Sequence, residues 1–302
     1  MGRGRVLVAG ASGALGREVV RALAARGWRV RALSREPARL AGLPVAEVAR
    51  GDALSGAGLA EACDGVERVF SCLGASVSPS APGRRSFLAV DVPANARLIE
   101  AARRAGARRF TYVSAFGAPA RRDLAYLRAH EEVVDLLRGS GLSFGVVRPT
   151  GFFSAFAEYV QLAARGAVPL VGDGSARTNP VHEADLAGVC AEVLEADGPV
   201  ERDAGGPEVL TRADIVALAF AAVGRPVRVR RLPAPVARGA ALLLRPFHPR
   251  LSELTAFVAA VGTSDAVAPA TGSLRLAGYF QAHARGLGVA PGPAAPGPAR
   301  LT

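Results

Sequence analysis

The sequence predicts an α/β fold, a doubly wound parallel sheet followed by a smaller C-terminal α/β lobe. Three observations predict it. Short β-like runs alternate with amphipathic helical stretches through the first half of the chain. The links between them are short. The first run ends in a glycine-spaced turn, Gly10-Ala-Ser-Gly13-Ala-Leu-Gly16, that opens a helix. Such alternation is what right-handed crossovers between parallel strands require, and those crossovers put helices on both faces.

The elements follow in order. The apolar run 6–9 reads as a buried strand, and Leu15, Val19, Ala22 and Leu23 then recur at helical spacing. Strands are expected at 29–33, 45–50 and 68–72, a long helix over about 92–105, and a strand at 110–113. A helix over about 124–137 and a strand at 144–148 complete the first half. Beyond Pro149 the alternation loosens. Thr211-Arg-Ala-Asp214 has the spacing of a capping box before a helix. A strand at 227–232 and two helical segments within 234–262 follow. The tail from Pro291, Pro-Gly-Pro-Ala-Ala-Pro-Gly-Pro, has the composition of a disordered segment, which sets 291–302 apart.

Composition narrows the classes. With 302 residues, half of them hydrophobic, the chain can bury a sizeable core. Cys63, Cys72 and Cys190 stand far apart with no paired spacing and no histidine cluster, so neither a disulfide framework nor a metal site is expected. All 37 basic residues are arginine, which removes any Schiff-base or phosphate-loop lysine. The net charge of +11 is spread along the chain without a stacking motif. It reads as a solvated basic surface that draws in a polyanionic ligand, and no nucleic-acid partner is expected. The apolar run near the N-terminus is broken by glycines and meets Arg17-Glu18 without a cleavage site, and no later run reaches the roughly 20 residues of a membrane span. The reading is a cytoplasmic protein, monomeric or homodimeric.

The glycine turn carries the first chemical inference. Gly10 permits the tight turn, Gly13 lets the backbone approach a diphosphate, and Gly16 lets helix and strand pack closely. The amides of Ser12, Ala14 and Leu15 and the positive helix end would receive the phosphates. Residues 1–150 are therefore expected to form a Rossmann-type dinucleotide-binding core, with a substrate lobe at 151–290 interleaved with the last core elements.

The end of the second strand bears on which dinucleotide is bound. A carboxylate there binds the ribose hydroxyls and repels a 2′-phosphate. The chain reads Leu33-Ser34-Arg35-Glu36. Arg35 can fork onto a 2′-phosphate, with Ser12 or Ser34 adding a hydroxyl, which favours NADP(H) over NAD(H); otherwise Arg35 faces solvent and Glu36 meets the ribose. A charge-assisted hydrogen bond is worth about 1.5–3 kcal/mol. Asp52, beside Ala53, either meets the adenine amino group or caps a helix. Cys72, Leu73 and Gly74 end the fourth strand, where the nicotinamide ribose would pass.

Together these segments resemble the atypical and extended short-chain dehydrogenase/reductases, in the NmrA-like, NAD(P)-binding branch. Further matching pieces are Val90-Asp-Val-Pro-Ala-Asn-Ala-Arg, Phe110-Thr-Tyr-Val-Ser-Ala, Val146-Val-Arg-Pro-Thr-Gly-Phe-Phe and Asn179-Pro-Val-His-Glu-Ala-Asp-Leu. The resemblance covers about 5–190. It implies that Ser114 orients a substrate carbonyl and that Tyr126 donates a proton. His130 stands where the family has lysine, one helical turn from Tyr126. Bringing a tyrosine from about 10 to neutrality takes about 4 kcal/mol, and a neutral histidine supplies less of that than an ammonium. Tyr126 and His130 are thus either catalytic, with His130 also touching the cofactor ribose, or satisfied core residues continuing the Val133/Val134/Leu137 face. The resemblance likewise implies a stabilised helix kink or water relay at Asn95. Switch-point geometry puts Thr150, Gly151 and Phe152, after the sixth strand, beside cofactor and substrate, and Val113 and Pro149 are expected cofactor contacts at the same strand ends. His182 reads as structural.

The function expected is an NADP(H)-dependent reductase that passes hydride to a small, largely apolar carbonyl, quinone or enone. The alternative is an NADP(H)-binding sensor or assembly subunit that turns nothing over.

Overall fold

The computed structural model describes residues 3–77 and 83–288. In chain order the elements are β1 (Arg5–Ala9), α1 (Ala14–Ala25), β2 (Arg29–Ser34), β3 (Glu47–Arg50), α2 (Leu59–Cys63), β4 (Arg68–Ser71), α3 (Phe87–Arg104), β5 (Arg109–Val113), α4 (Ala125–Arg138), β6 (Ser143–Pro149) and α5 (Phe153–Arg165). Then come β7 (Val168–Val171), β8 (Arg177–Thr178), α6 (Glu183–Glu195), β9 (Val200–Ala204), β10 (Leu210–Thr211), α7 (Arg212–Ala222), β11 (Val229–Leu232), α8 (Ala234–Leu244), α9 (Pro249–Val261) and α10 (Leu276–Gly286). The tail expected to be disordered, 291–302, lies outside the described residues.

Two compact units divide the chain. The first holds the described residues of Met1–Ser76, Arg85–Pro149 and Glu183–Asp203. Its seven-stranded sheet has the order β3-β2-β1-β4-β5-β6-β9, and β1 to β6 pair in parallel, as the doubly wound reading requires. Strand order reverses at β1 and β4, so the carboxyl ends of these two strands form the switch point where open α/β sheets bind ligands. Val6, Leu7, Val8 and Ala9 are all fully buried, the unbroken apolar run of a strand covered on both faces. Leu7, Val69, Phe110, Tyr112 and Val146 pack with Ala62, Leu98, Ala102, Val133 and Leu137 of α2, α3 and α4.

Two arginines finish this unit. Arg109 on β5 is 2% exposed; it donates to the carbonyls of Val193 and Gly198 and to Ser143 Oγ, at 2.5–3.0 Å. Arg68 on β4 donates to the carbonyl of Leu194. The last carbonyls of α6 have no intrahelical donor, and the two guanidiniums satisfy them while opposing the negative helix end.

The second unit takes the described residues of Val77–Arg84, Thr150–His182 and Ala204–Thr302. Phe153, Val160, Val168, Ile215, Phe220, Leu276 and Phe280 form its core. β11 pairs with β7 in parallel and β10 with β8 antiparallel. Thr211 and Asp214 close a full capping box on α7. Buried Asn179 accepts from the Ala268 amide and donates to the Gly206 and Ala268 carbonyls.

Some boundaries differ from the sequence reading. α3 starts at Phe87 rather than near 92, because Ser86 caps it by accepting from the Ala89 amide and Pro93 sits inside the helix. Such a proline costs about 3 kcal/mol, which is why the sequence suggested a start there. β3 begins two residues late because Leu43 and Val45 close a tight turn first. The short strands β7, β8 and β10 carry no periodicity that sequence could show.

Candidate cofactor site and active site

The turn between β1 and α1 is built by its glycines for two different reasons. Gly10 has φ +89°, a left-handed conformation, and a Cβ there would stand 2.9 Å from Cys72 Sγ. A Cβ on Gly16 would stand 2.0 Å from the Gly10 carbonyl oxygen, so this glycine lets helix and strand touch. Gly13 is different. Its φ is −75°, open to any residue, and a Cβ there would meet nothing closer than the Gly10 oxygen at 3.4 Å. Nothing inside the protein demands glycine at that position, which leaves the space in front of it for something else. Gly13 is also the N-cap of α1, with no side chain capping the first-turn amides. Ala14, Leu15 and Gly16 therefore present N–H groups that the helix itself cannot satisfy.

A cavity of about 190 Å³ opens beside this turn. It is lined by Gly10, Ser12, Ser34, Arg35, Asp52, Ala53, Leu73 and Gly74, all anticipated from sequence. Leu33, Glu36, Arg39, Gly51, Leu54, Val90, Asp91 and Ala94 complete the lining. Of these, Glu36 is the residue to which the sequence assigns a ligand contact, while Val90, Asp91 and Ala94 lie in a segment that carries the family resemblance without an assigned role. Ser34 Oγ accepts from the Glu36 amide at 3.1 Å and keeps its own proton to give. Arg35 is exposed and has no ion pair or hydrogen bond among the described residues. Arg39 makes only a loose pair with Glu36, 3.8 Å apart and exposed on both sides, worth little in water. The lining thus holds two guanidiniums and three carboxylates, of which Glu36 is exposed beside the arginines while Asp52 and Asp91 accept from backbone amides. Asp52 Oδ1 accepts from the Leu54 amide at 3.1 Å, closing its own turn, while Gly58 caps α2. The helix-cap reading of Asp52 is therefore replaced by this local turn.

The end of β4 is pinned from α3. Asn95 is fully buried; its amide donates to the carbonyls of Asp91 and Leu73, and its Oδ1 accepts from Ser71 Oγ at 2.7 Å. All its polar atoms face protein, so it holds Leu73 in place and needs no water relay to be satisfied. Asp91 accepts from the Ala75 amide at 2.7 Å and brings a buried carboxylate to the cavity wall. Burial pushes the Cys72 thiol up to about 12.

Ser114 follows β5, and Val113 ends that strand in the core. Ser114 is 3% exposed, and its Oγ donates to Glu131 Oε1 at 3.2 Å. Glu131, fully buried on α4, also accepts from Arg148 at 3.2 Å; Arg148 reaches on to Glu201 at 2.7 Å. Glu131, Arg148 and Glu201 were not singled out as site residues, although Glu131 adjoins His130 and Arg148 precedes Pro149. Tyr126 and His130 lie edge to face, ring centres 4.7 Å apart, with Phe87 edge-on to Tyr126. Tyr112 Oη stands 2.7 Å from His130 Nδ1. Burial pushes the Tyr126 phenol up, and the carboxylate of Asp91 adds to that.

Burial holds His130 down to about 4, so it is neutral at physiological pH. A neutral ring has one N–H and one bare nitrogen, so His130 Nδ1 and Tyr112 Oη share a single hydrogen bond. Because the folded form resists protonation, the unfolded chain binds the proton first. The contribution of His130 is therefore whole above about pH 6.5 and falls by about 3 kcal/mol on acidification to the folded value near 4. Urea unfolding at pH 7 and pH 4 should show a loss about 3 kcal/mol larger in the parent than in His130→Gln.

The remaining expected contacts divide between units. Pro149 ends β6, its carbonyl accepting from Phe116. Thr150, Gly151 and Phe152 belong to the second unit. There Thr150 Oγ1 donates to the Asn179 carbonyl at 2.6 Å, the Gly151 carbonyl accepts from Val181, and Phe152 precedes α5. His182 stacks edge-on against Phe153 and Tyr279 within that unit.

Known proteins with similar sequences and folds can be set beside this geometry. Residues 10–197 match the NAD(P)H-binding family. An NAD(P)H azoreductase of Xenophilus azovorans is 29% identical over 227 residues, which is 74% of this chain and 75% of that protein. A (4-alkanoyl-5-oxo-2,5-dihydrofuran-3-yl)methyl phosphate reductase of Streptomyces griseus subsp. griseus is 31% identical over 256 residues, 82% of this chain and 83% of that one. Among solved structures, the NADPH-dependent quinone oxidoreductase of Escherichia coli, complexed with NADPH, shares the fold. Its TM-score is 0.70 at 22% identity, over 92% of this chain and 99% of that chain.

Proposed function

Because the chain belongs to the NAD(P)H-binding family, among the oxidoreductases of the atypical short-chain dehydrogenase/reductase group, we propose that it is an NADPH-dependent reductase of a small, largely apolar quinone, enone or related conjugated carbonyl. The observation that carries the cofactor choice is the end of β2. Arg35, with no partner among the described residues, and Arg39 flank one cavity with Ser12 and Ser34. Against them Glu36 is a single solvated charge, so a 2′-phosphate gains more than it loses. The open space in front of Gly13 supports the diphosphate above it, since a Cβ would fill the approach.

Bound NADPH supplies a hydride. The protein's own part is orientation and proton supply. Ser114 gives its hydrogen to Glu131, so its lone pairs are what it offers to a ligand. Tyr126, pushed up by burial and by Asp91, stays protonated and serves as a hydrogen-bond donor. No ammonium is available to stabilise a tyrosinate, and the histidine in its place is neutral. This machinery suits acceptors that spread incoming charge over a conjugated system, where proton transfer can come late or from water. The azoreductase and quinone oxidoreductase named above take acceptors of that electronic kind, which supports the same choice.

Since His130 and Tyr126 both keep their charge state between about pH 6 and 9, kcat for reduction should be flat across that window. Anaerobic turnover of NADPH against quinones, enones and simple ketones tests the substrate class, and a preference for simple ketones would overturn it. The neutral His130 also favours one rival, a protein that binds NADPH without turnover. Tight calorimetric binding with silence across the acceptor panel would select that reading.

A further inference from the structure

Independently of the cofactor reading, we propose that the α8–α9 hairpin of the second unit docks on the surface of an anionic lipid bilayer. Between Asp214 and Glu253 the chain carries seven arginines, at 225, 228, 230, 231, 238, 245 and 250, and no acidic residue. Elsewhere, exposed arginines are typically neutralised by neighbours, as Arg103 and Arg104 are by Glu100 and Arg177 is by Asp265. Here Arg228, Arg230, Arg238 and Arg245 are exposed and have no ion pair or hydrogen bond among the described residues. Arg231 lies within electrostatic reach of Asp173.

Apolar side chains accompany this charge. α8 buries Ala237 and Ala241, one turn apart, and turns its opposite half to solvent. That half carries Val236, Leu242 and Leu243, followed by Phe247 in the turn before α9; they are 56%, 70%, 77% and 74% exposed. Arg238 and Arg245, seven residues apart, run along its edge. The turn is fixed: Arg84 donates to the Phe247 carbonyl at 2.8 Å, His248 Nδ1 accepts from the Leu251 amide, and Ser252 Oγ donates to the Ala241 carbonyl at 2.7 Å. The apolar display is therefore a property of the folded hairpin.

Large apolar side chains rimmed by unpaired guanidiniums match the two components of a bilayer interface. Leucine and phenylalanine enter the acyl boundary while arginine stems lie along it and their heads reach the phosphates. Charge also decides against a second copy of this chain, because a self-complementary contact would bring unpaired arginines face to face. None of the described helices is long and apolar enough to cross the membrane, so the attachment is to its surface.

The test is co-sedimentation of the full chain with vesicles of phosphatidylcholine alone and of phosphatidylcholine with phosphatidylglycerol. The protein should pellet with the anionic vesicles only and be released by salt. Each arginine near the surface is worth about fivefold in affinity, so Arg238→Ser with Arg245→Ser should weaken binding about 25-fold. Leu243→Ser with Phe247→Ser should abolish pelleting, and circular dichroism and NADPH affinity should match the parent. Failure of the parent to pellet with anionic vesicles overturns the proposal, as does pelleting that neither double variant changes. A dimer seen by light scattering and lost in the apolar variant would also overturn it, by assigning the face to a second copy.

Discussion

Gly13→Ala is expected to leave the protein folded and weaken NADPH binding about 100-fold, because it removes roughly two charge-assisted hydrogen bonds of about 1.5 kcal/mol each. The backbone conformation at Gly13 tolerates a side chain, and the nearest protein atom to a new Cβ is 3.4 Å away. Lower entropy in the unfolded chain stabilises by about 0.4–1 kcal/mol, offset by the poorer capping of alanine. Stability should therefore barely move. Gly16→Ala is the contrasting experiment. Its Cβ would fall 2.0 Å from the Gly10 oxygen, backbone against backbone. Helix and strand would have to part, at a cost of several kcal/mol. Urea unfolding and calorimetry on both variants separate the two roles. If Gly13→Ala bound NADPH like the parent, the diphosphate would not approach there.

The second large effect concerns the adenosine end. Removing both guanidiniums, as Arg35→Ala with Arg39→Ala, should weaken NADPH at least 100-fold and leave NADH within about threefold, since each phosphate contact is worth about 1.5–3 kcal/mol. The parent preference should shrink as salt rises, because both arginines are exposed. Equal losses for both cofactors would mean that the arginines act on the diphosphate or on the fold.

How much of this was legible in the residues follows from how local each signal is. β1, β4, β5 and β6 were readable because burial on both faces of a sheet forces apolar runs, β2 and β3 by the regular spacing of short runs after the glycine turn, and Gly10 and Gly16 answer to close contacts that the turn itself requires. Ser34 and Arg35 were readable because the end of β2 has a fixed place in the fold. Arg39 and Asp91 were not, since their presence at the cavity depends on the turn after β2 and on the longer α3. The Ser114–Glu131–Arg148–Glu201 chain was hidden for a related reason. Three elements and β9 must assemble before a buried carboxylate meets its guanidinium, and a sequence shows each partner as an ordinary surface charge. Asn95 was readable as unusual but not as to role, because its partners lie on β4. The second unit was the least legible, its order resting on single residues such as Asn179.

The sulfur of Cys72, tucked beneath the bend at Gly10 and hydrogen-bonded toward the carbonyls of Ala9 and Gly10, has one more consequence. With a thiol pushed up to about 12, only about one molecule in ten thousand carries the reactive thiolate at pH 8. The other two cysteines, Cys63 and Cys190, are buried and likewise held protonated. Cys72 is the one thiol of the three that is only half-buried, so slow alkylation should begin there, and an occupant seated on the bend would shield it.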